Sequence, residues 1–147
     1  MPTLIANCVA GGFSRYALAV KIVEVNVMSK IKAAQLAAQT QHDIELLTPL
    51  LAARPDQTPE MRDILDVLGQ VHKKITKVKN PPALVNRLVN YIRVRSSAGK
   101  LHYPRDQEAL LIDLSVIGQK AGWNGLYMAD FSDKSQFYSI FEPMPRH

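Results

Sequence analysis

Apolar residues recur at helical spacing in four separate segments of this chain, and this periodicity constrains the fold more than any other feature. It is most regular in the second segment, where one face of a helix of about five turns carries Met61, Ile64, Leu65, Leu68, Val71, Ile75 and Val78. The preceding Thr58, Pro59 and Glu60 supply an N-cap, a proline at the first helical position and an acid in the first turn. No convincing strand alternation follows residue 27, so the sequence predicts an all-α fold.

The neighbouring helices are bounded by capping residues and prolines. The first is predicted from about Ser29 to Ala53, with Pro49 expected to bend or end it. The third follows the two prolines at 81–82 and ends near residues 96–99. Because connections of about three to seven residues favour antiparallel neighbours, we expect an antiparallel, left-handed four-helix bundle.

The fourth helix opens after Pro104, with Asp106 and Glu108 near the positive end of its dipole. Its predicted core face contains Leu110, Leu111, Leu114 and Ile117. Gly122 is the expected stop, because the residue after a helix often needs a positive φ. Leu114 is expected to be buried between helices.

Three parts of the chain are predicted to differ in order. Residues 28–122 form the bundle and residues 123–147 a tail packed on it. Residues 1–27 are interrupted by glycines and charges, no basic region precedes them, and neither apolar patch reaches the ~18–20 residues of a spanning helix. We therefore expect 1–27 to be a poorly ordered extension, neither signal peptide nor membrane span, with Met28 as the natural start.

The tail is unusually aromatic. Six of the ten aromatic residues lie in the last 25 positions, whereas disordered segments are poor in aromatics. We expect this tail to dock on the bundle, where Trp123, Tyr127 and Phe131 either seal an open end or side of it or present a surface to a partner; the two roles are compatible. The candidate recognition residues are Trp123, Tyr127, Phe131, Phe137, Tyr138 and Phe141. If the far tail serves recognition, deleting 133–147 should leave the melting of the bundle nearly unchanged.

The residues that could support catalysis or bind a metal are scattered. The four histidines show no ligand spacing, and Cys8 has no neighbouring base. Asp63 and Asp66 lie three residues apart, but the carboxylate and histidine set of a di-iron bundle is absent. The sequence therefore predicts that the protein is not an enzyme and that it binds neither a cofactor nor a metal.

Charge is unevenly distributed along the chain. No acidic residue lies between Asp66 and Asp106, although half of the eighteen Lys and Arg do. The predicted basic face consists of Lys73, Lys74, Lys77, Lys79, Arg87, Arg93, Arg95, Lys100 and Arg105. It can be a solvated face, attract anionic lipid headgroups or an acidic partner, or bind nucleic acid. The last is disfavoured, because net charge is only +5 and there is no recognition helix rich in Arg and aromatic residues.

The Lys-Leu-His-Tyr run at 100–103, the fourth helix and the Gln-Lys-Ala-Gly-Trp run at 119–123 resemble the C-terminal part of immunity proteins against pediocin-like (class IIa) bacteriocins. The resemblance covers roughly residues 28–141 and also implies a left-handed antiparallel four-helix bundle. It implies non-enzymatic, cytosolic protection of the producer cell, with the C-terminal half carrying specificity. The partner it implies is the mannose phosphotransferase permease engaged by bacteriocin, whose pore is blocked. The alternative is a small basic helical adaptor that binds nucleic acid or another protein.

Overall fold

The structure, a computed structural model, describes the backbone of residues 2–121 and 132–147, and the side chains of 15–121 and 132–147. The described residues contain four α-helices and one short 3-10 helix but no strand, which confirms the all-α prediction. The helices are α1 (Pro2–Ala52), α2 (Pro59–Lys74), α3 (Pro81–Ala98) and α4 (Arg105–Gln119), and the 3-10 helix is Lys134–Phe137. The chain divides into two compact units, residues 1–32 and 33–147.

Helix α1 differs most from the sequence prediction. Its start was predicted near Ser29, but the helix begins at Pro2, so residues 3–28 are helical as well. That stretch contains no proline, and β-branched residues lower helix propensity only slightly. Pro49 does not end the helix, which continues to Ala52, and the N–H of Ala53 donates to the Pro49 carbonyl at 3.0 Å.

The predicted N-terminus of α2 is confirmed. The Thr58 hydroxyl accepts the N–H of Met61 at 3.2 Å, and Pro59 occupies the first helical position, where a missing N–H loses no hydrogen bond. The helix stops at Lys74, one turn before the end of the predicted apolar stripe. Ile75 is the C-cap residue, and its N–H donates to the Val71 carbonyl at 2.8 Å. Its side chain is still buried in the core.

Helix α3 begins and ends where the sequence predicts. Asn80 caps it by accepting the N–H of Ala83 at 3.3 Å. After Ala98 the chain turns sharply, with Lys100 at a φ of 51° and the N–H of Leu101 donating to the Ser96 carbonyl at 2.8 Å. Helix α4 ends at Gln119, and the predicted stop at Gly122 lies outside the described residues.

The core of the unit formed by residues 33–147 draws on all four helices and the 3-10 helix. Helix α3 packs against both α2 and α4, and the 3-10 helix packs against α2. Leu114 is fully buried, as predicted. The other core residues are Ala37, Ile44, Leu47, Leu51, Met61, Ile64, Val67, Leu68, Val71, Ile75, Leu84, Val85, Leu88, Val89, Tyr91, Ile92, Leu111, Ile117 and Phe137.

Helices α3 and α4 approach closely at Gly118. A Cβ atom there would lie 2.9 Å from the Asn86 Cα and 3.0 Å from its backbone nitrogen. Since these are backbone atoms, a side chain at Gly118 could be accommodated only if one helix moved. By contrast, a Cβ atom at Gly69, in the interior of α2, would have no atom within 4 Å.

The two glycines should therefore respond oppositely to alanine. Gly118→Ala should lower the free energy of unfolding by about 1–3 kcal/mol through the overpacked contact. Gly69→Ala, the matched control, should raise it by about 0.5–1 kcal/mol, because glycine in a helix interior has excess conformational entropy when unfolded. Urea denaturation measures both values, and a stable Gly118→Ala protein would mean that α3 and α4 do not meet at this residue.

Candidate functional site

The described aromatic residues of the tail have different environments. Phe137 is 3% exposed and packs edge to face on Tyr91, with 5.4 Å between ring centroids and an interplanar angle of 74°. Tyr138 is half-buried against the core, whereas Phe141 is 94% exposed, beside the equally exposed Ile140. Trp123, Tyr127 and Phe131 lie outside the described residues. Phe137 is thus part of the core, whereas Phe141 remains accessible.

Lys134 fastens the tail to α2. Its ammonium donates to Asp63 Oδ1 at 2.7 Å, to Asp66 Oδ2 at 3.0 Å and to the Pro145 carbonyl at 2.8 Å, and its side chain is 10% exposed. Burial alone would lower the pKa of Lys134, but the hydrogen bonds to the two carboxylates outweigh burial, so the pKa is raised.

Further ion pairs join the tail to α2 and bring α3 into the same network. Lys74 donates to the Phe137 carbonyl at 2.8 Å and to Glu142 Oε2 at 2.7 Å, and its hydrogen bond lowers the pKa of Glu142. Arg95 of α3 pairs with Asp63, on the carboxylate that also binds Lys134. We call Asp63, Asp66, Lys74, Lys134 and Glu142 the C-terminal clasp. The deletion of 133–147 would remove both Lys134 and Phe137, so it should destabilise the fold, contrary to the expectation from sequence.

Asp63, Asp66 and His147 have the spacing of a metal site, with one ligand atom from each within 4.8 Å of the others. The Lys134 ammonium, however, hydrogen-bonds both carboxylates and places its positive charge where a cation would bind. His147 Nε2 lies 2.8 Å from Asp66 Oδ2. The arrangement is therefore that of an ion-pair network.

The basic face is partly neutralised by acids from outside its own stretch of sequence. Arg93 pairs with Glu108 of α4 at 2.7 Å. Lys74 pairs with Glu142 inside the clasp, and Arg95 pairs with Asp63 of the clasp. Three of the nine predicted basic side chains are therefore ion-paired within the molecule. Within the part of the chain that the structure describes, no ion pair involves the remaining six, Lys73, Lys77, Lys79, Arg87, Lys100 and Arg105.

Arg54, which lies in the loop between α1 and α2, organises the turn between α3 and α4. Its Nη1 donates to the His102 carbonyl and to Gln107 Oε1, both at 2.8 Å, and its guanidinium lies 5.5 Å from the centroid of the Tyr103 ring. Asp56 accepts from Arg54 Nε at 2.8 Å and from Nη2 at 2.6 Å, which raises the pKa of Arg54. The only sequence signal was the nearby acid at i+2.

This turn borders an open cavity of about 700 Å³ that coincides with the Lys-Leu-His-Tyr run. Burial raises the pKa of Tyr103, whose hydroxyl hydrogen-bonds that of Ser96. The cavity is lined by Arg93, Ser96, Ser97, Lys100, Leu101, His102, Tyr103 and Glu108. Its walls carry both signs of charge, because Glu108 neutralises Arg93.

Helix α1 exposes large apolar side chains between residues 16 and 31, and this exposure was not predicted from the sequence. Nine of them are 45–76% exposed: Tyr16, Leu18, Val20, Ile22, Val23, Val25, Val27, Met28 and Ile31. Among the described residues, none of the helices combines the length and the apolar character that a membrane crossing requires.

The charged groups and tyrosines with shifted pKa values are mostly explained by packing and ion pairing. Burial raises the pKa of Tyr91 to about 12, and it also raises that of Asp43. The described residues show no nucleophile hydrogen-bonded to a base. The described residues thus define a small all-α protein in which ion pairs join the helices to the C-terminal tail.

Comparison with known proteins identifies the family. The bacteriocin immunity protein family matches residues 38–119, and the chain belongs to this family, which is not known for enzymatic activity. This match confirms the resemblance found in the sequence, and bacteriocin immunity is the function that it supports.

Two relatives come from Leuconostoc. The probable leucocin-A immunity protein of Leuconostoc gelidum is 65% identical over 80 residues, which cover 54% of this chain and 71% of the relative. The probable mesentericin-Y105 immunity protein of Leuconostoc mesenteroides is 58% identical over 84 residues, which cover 57% of this chain and 74% of the relative. No solved structure matches the chain.

The clasp can be tested with one substitution. Lys134→Met keeps the aliphatic stem but leaves Asp63 and Asp66 without their shared partner, so the free energy of unfolding should fall by about 1–3 kcal/mol. Lys77→Met, at an exposed lysine without an ion pair, is the control and should change it by less than about 0.5 kcal/mol. Equal effects of the two substitutions in urea denaturation would contradict a stabilising role for the clasp.

Proposed function

We propose that this protein protects a producer cell from its own class IIa bacteriocin by binding the mannose phosphotransferase permease that the peptide has engaged, and so blocking the pore. The observation that carries the proposal is family membership over residues 38–119, together with 65% identity to a probable leucocin-A immunity protein. The protein then works in the cytoplasm and at the inner face of the membrane. No step requires a cofactor or a catalytic residue.

The proposed scaffold is a left-handed, antiparallel four-helix bundle. Short connections support it, because α2 and α3 are joined by six residues and α3 and α4 by another six, counted between the bounds Lys74–Pro81 and Ala98–Arg105. Helix α3 also packs against both of the others. The fourth wall is supplied by Ile44, Leu47 and Leu51 of α1, which share the core.

The proposed recognition surface combines exposed aromatic residues of the tail with unpaired basic residues. Among the described aromatic residues of the tail, Phe141 is the most exposed and can contact a partner. Trp123, Tyr127 and Phe131 belong to the proposed surface on the basis of the sequence alone. The six basic residues without an ion pair would attract anionic headgroups by about 1 kcal/mol each near a membrane surface. Because these residues are outside the core and the clasp, a partner can bind them without changing either.

The second candidate is a small basic helical adaptor for nucleic acid or another protein. The same six unpaired basic residues favour it. It differs from immunity in its salt dependence, because binding to DNA releases condensed counterions and this release becomes less favourable as the salt concentration rises. Protection of a sensitive strain would support the first function, and salt-sensitive binding of DNA without protection would support the second.

Expression in a bacteriocin-sensitive strain tests the proposal directly. Cells that make the protein should survive concentrations of leucocin A or mesentericin Y105 that kill cells with the empty vector. These two peptides come first in a panel of class IIa peptides because the relatives are named for them. Unchanged sensitivity to every peptide in the panel would contradict the immunity function.

The aromatic residues of the tail can be separated by the same assay. Phe141→Ala should weaken protection while the melting temperature stays unchanged, since the ring is exposed. Phe137→Ala is the control for packing, and it should lower stability by about 3–5 kcal/mol because its ring is buried. Full protection by a stable Phe141→Ala protein would move the proposed recognition surface to the basic residues.

A further inference from the structure

Helix α2 has a glycine in its interior that neither backbone geometry nor packing requires. Gly69 lies well inside Pro59–Lys74 and its φ is outside the left-handed region. Apart from its two chain neighbours and the backbone of its own helix, no atom lies within 4 Å of the position that its Cβ would occupy, in contrast to Gly118, where the backbone of α3 leaves no room for a side chain. Because glycine in a helix interior costs about 0.5–1 kcal/mol relative to alanine, the missing side chain calls for an explanation outside the fold.

The missing side chain leaves a groove between α1 and α2. The groove has a volume of about 380 Å³ and is lined by Ile44, Glu45, Thr48, Pro49, Gly69, His72 and Lys73. A volume of this size is within the range of ligand pockets and suits one large apolar side chain. The ring of Pro49 and the side chain of Ile44 supply apolar wall, and any side chain at position 69 would narrow the groove.

The polar groups at the rim are paired, with one exception. His72 Nε2 lies 2.9 Å from Glu45 Oε1, and the Thr48 hydroxyl donates to the Ile44 carbonyl at 2.7 Å. Lys73 is exposed and makes no ion pair within the part of the chain that the structure describes. After the hydrogen bond from Lys74, the charge of Lys73 also contributes to the lowered pKa of Glu142, but the Lys73 ammonium forms no direct ion pair there. The rim therefore offers one positive charge without an ion pair beside an apolar floor.

We propose that this groove is the docking site for a large apolar side chain of a partner protein, with a carboxylate next to it that pairs with Lys73. Buried apolar anchors seated in a pocket dominate the affinity of many protein interfaces, and a charge at the rim adds orientation. The proposal deepens the proposed function, since the partner is then the membrane protein complex through which immunity acts.

Filling the groove tests the proposal in cells. Gly69→Leu should keep or raise the melting temperature, because the position is open, yet abolish protection against the peptide to which the wild-type protein gives immunity. Ala109→Leu adds the same side chain at an exposed site of α4 and should leave protection intact. Full protection by a folded Gly69→Leu protein, with protection by the wild type, would overturn the docking site and leave the immunity function standing.

A binding measurement tests the groove independently of immunity. In an NMR titration, 4-phenylbutyrate, which carries an aromatic ring and a carboxylate, should shift the amide signal of Gly69 in the wild-type protein. The neutral 4-phenylbutanamide should bind at the same place about two- to fivefold more weakly, the ratio expected for one exposed ion pair.

The variants make the titration decisive. Lys73→Gln should remove the difference between the two probes, and Gly69→Leu should abolish the shift for both. If neither probe shifts the Gly69 signal at millimolar concentration, the groove does not bind apolar groups and the proposal is overturned. If the probes bind there but the wild type gives no protection, the immunity function fails and the docking site stands.

Discussion

The rest of the structure depends on the packing of the apolar face of α3 against its neighbours. This helix packs against α2 and α4, and Leu88 and Ile92 are fully buried in it. Tyr91, also fully buried, extends the core to the tail through its edge-to-face contact with Phe137. Burial of an apolar side chain of this size contributes about 1.5–3 kcal/mol, so the stripe on α3 outweighs any surface ion pair in the molecule.

The charges serve two separate purposes. Lys74, Arg95 and Lys134 are used inside the unit of residues 33–147, where they neutralise Asp63, Asp66 and Glu142 and attach the tail to α2. The six basic residues without ion pairs are those assigned to the proposed recognition surface. The clasp also orders the backbone around Phe137, because Lys74 binds the Phe137 carbonyl. Packing and ion pairing thus support the same segment, and the immunity surface proposed above starts beyond it.

The parts of the fold that local chemistry determines could be predicted from sequence. Thr58 caps its helix because its side chain reaches an N–H three residues ahead, and Leu114 is buried because its helix has a periodic apolar face. The predicted start of α1 was wrong, because the glycines and charges within residues 1–27 do not prevent a helix from forming. The resemblance to the family could be recognised because the runs at 100–103 and 119–123 are contiguous in the sequence, and the family match over residues 38–119 confirms it.

Interactions between distant residues could not be predicted. Lys134 meets Asp63 across 71 positions, and no local pattern indicates which acid a tail lysine will find. The basic interval has no acids of its own, so its neutralisation by Glu108, Asp63 and Glu142 appeared only in three dimensions. Phe137 and Phe141 are both aromatic residues of the tail, and only the path of the backbone separates the buried ring from the exposed one.

The central claim is that the tail from residue 132 onward is part of the folded unit, and native-state hydrogen exchange tests it most directly. The amides of Ser135 and Tyr138, which donate to Asp133 Oδ1 and the Ser135 carbonyl, should be protected and should lose protection together with the core amides of α3 in increasing denaturant. If these two amides exchange at the rates of an unfolded chain while the amide of Leu88 remains protected, the tail is not held by the core and the account is wrong.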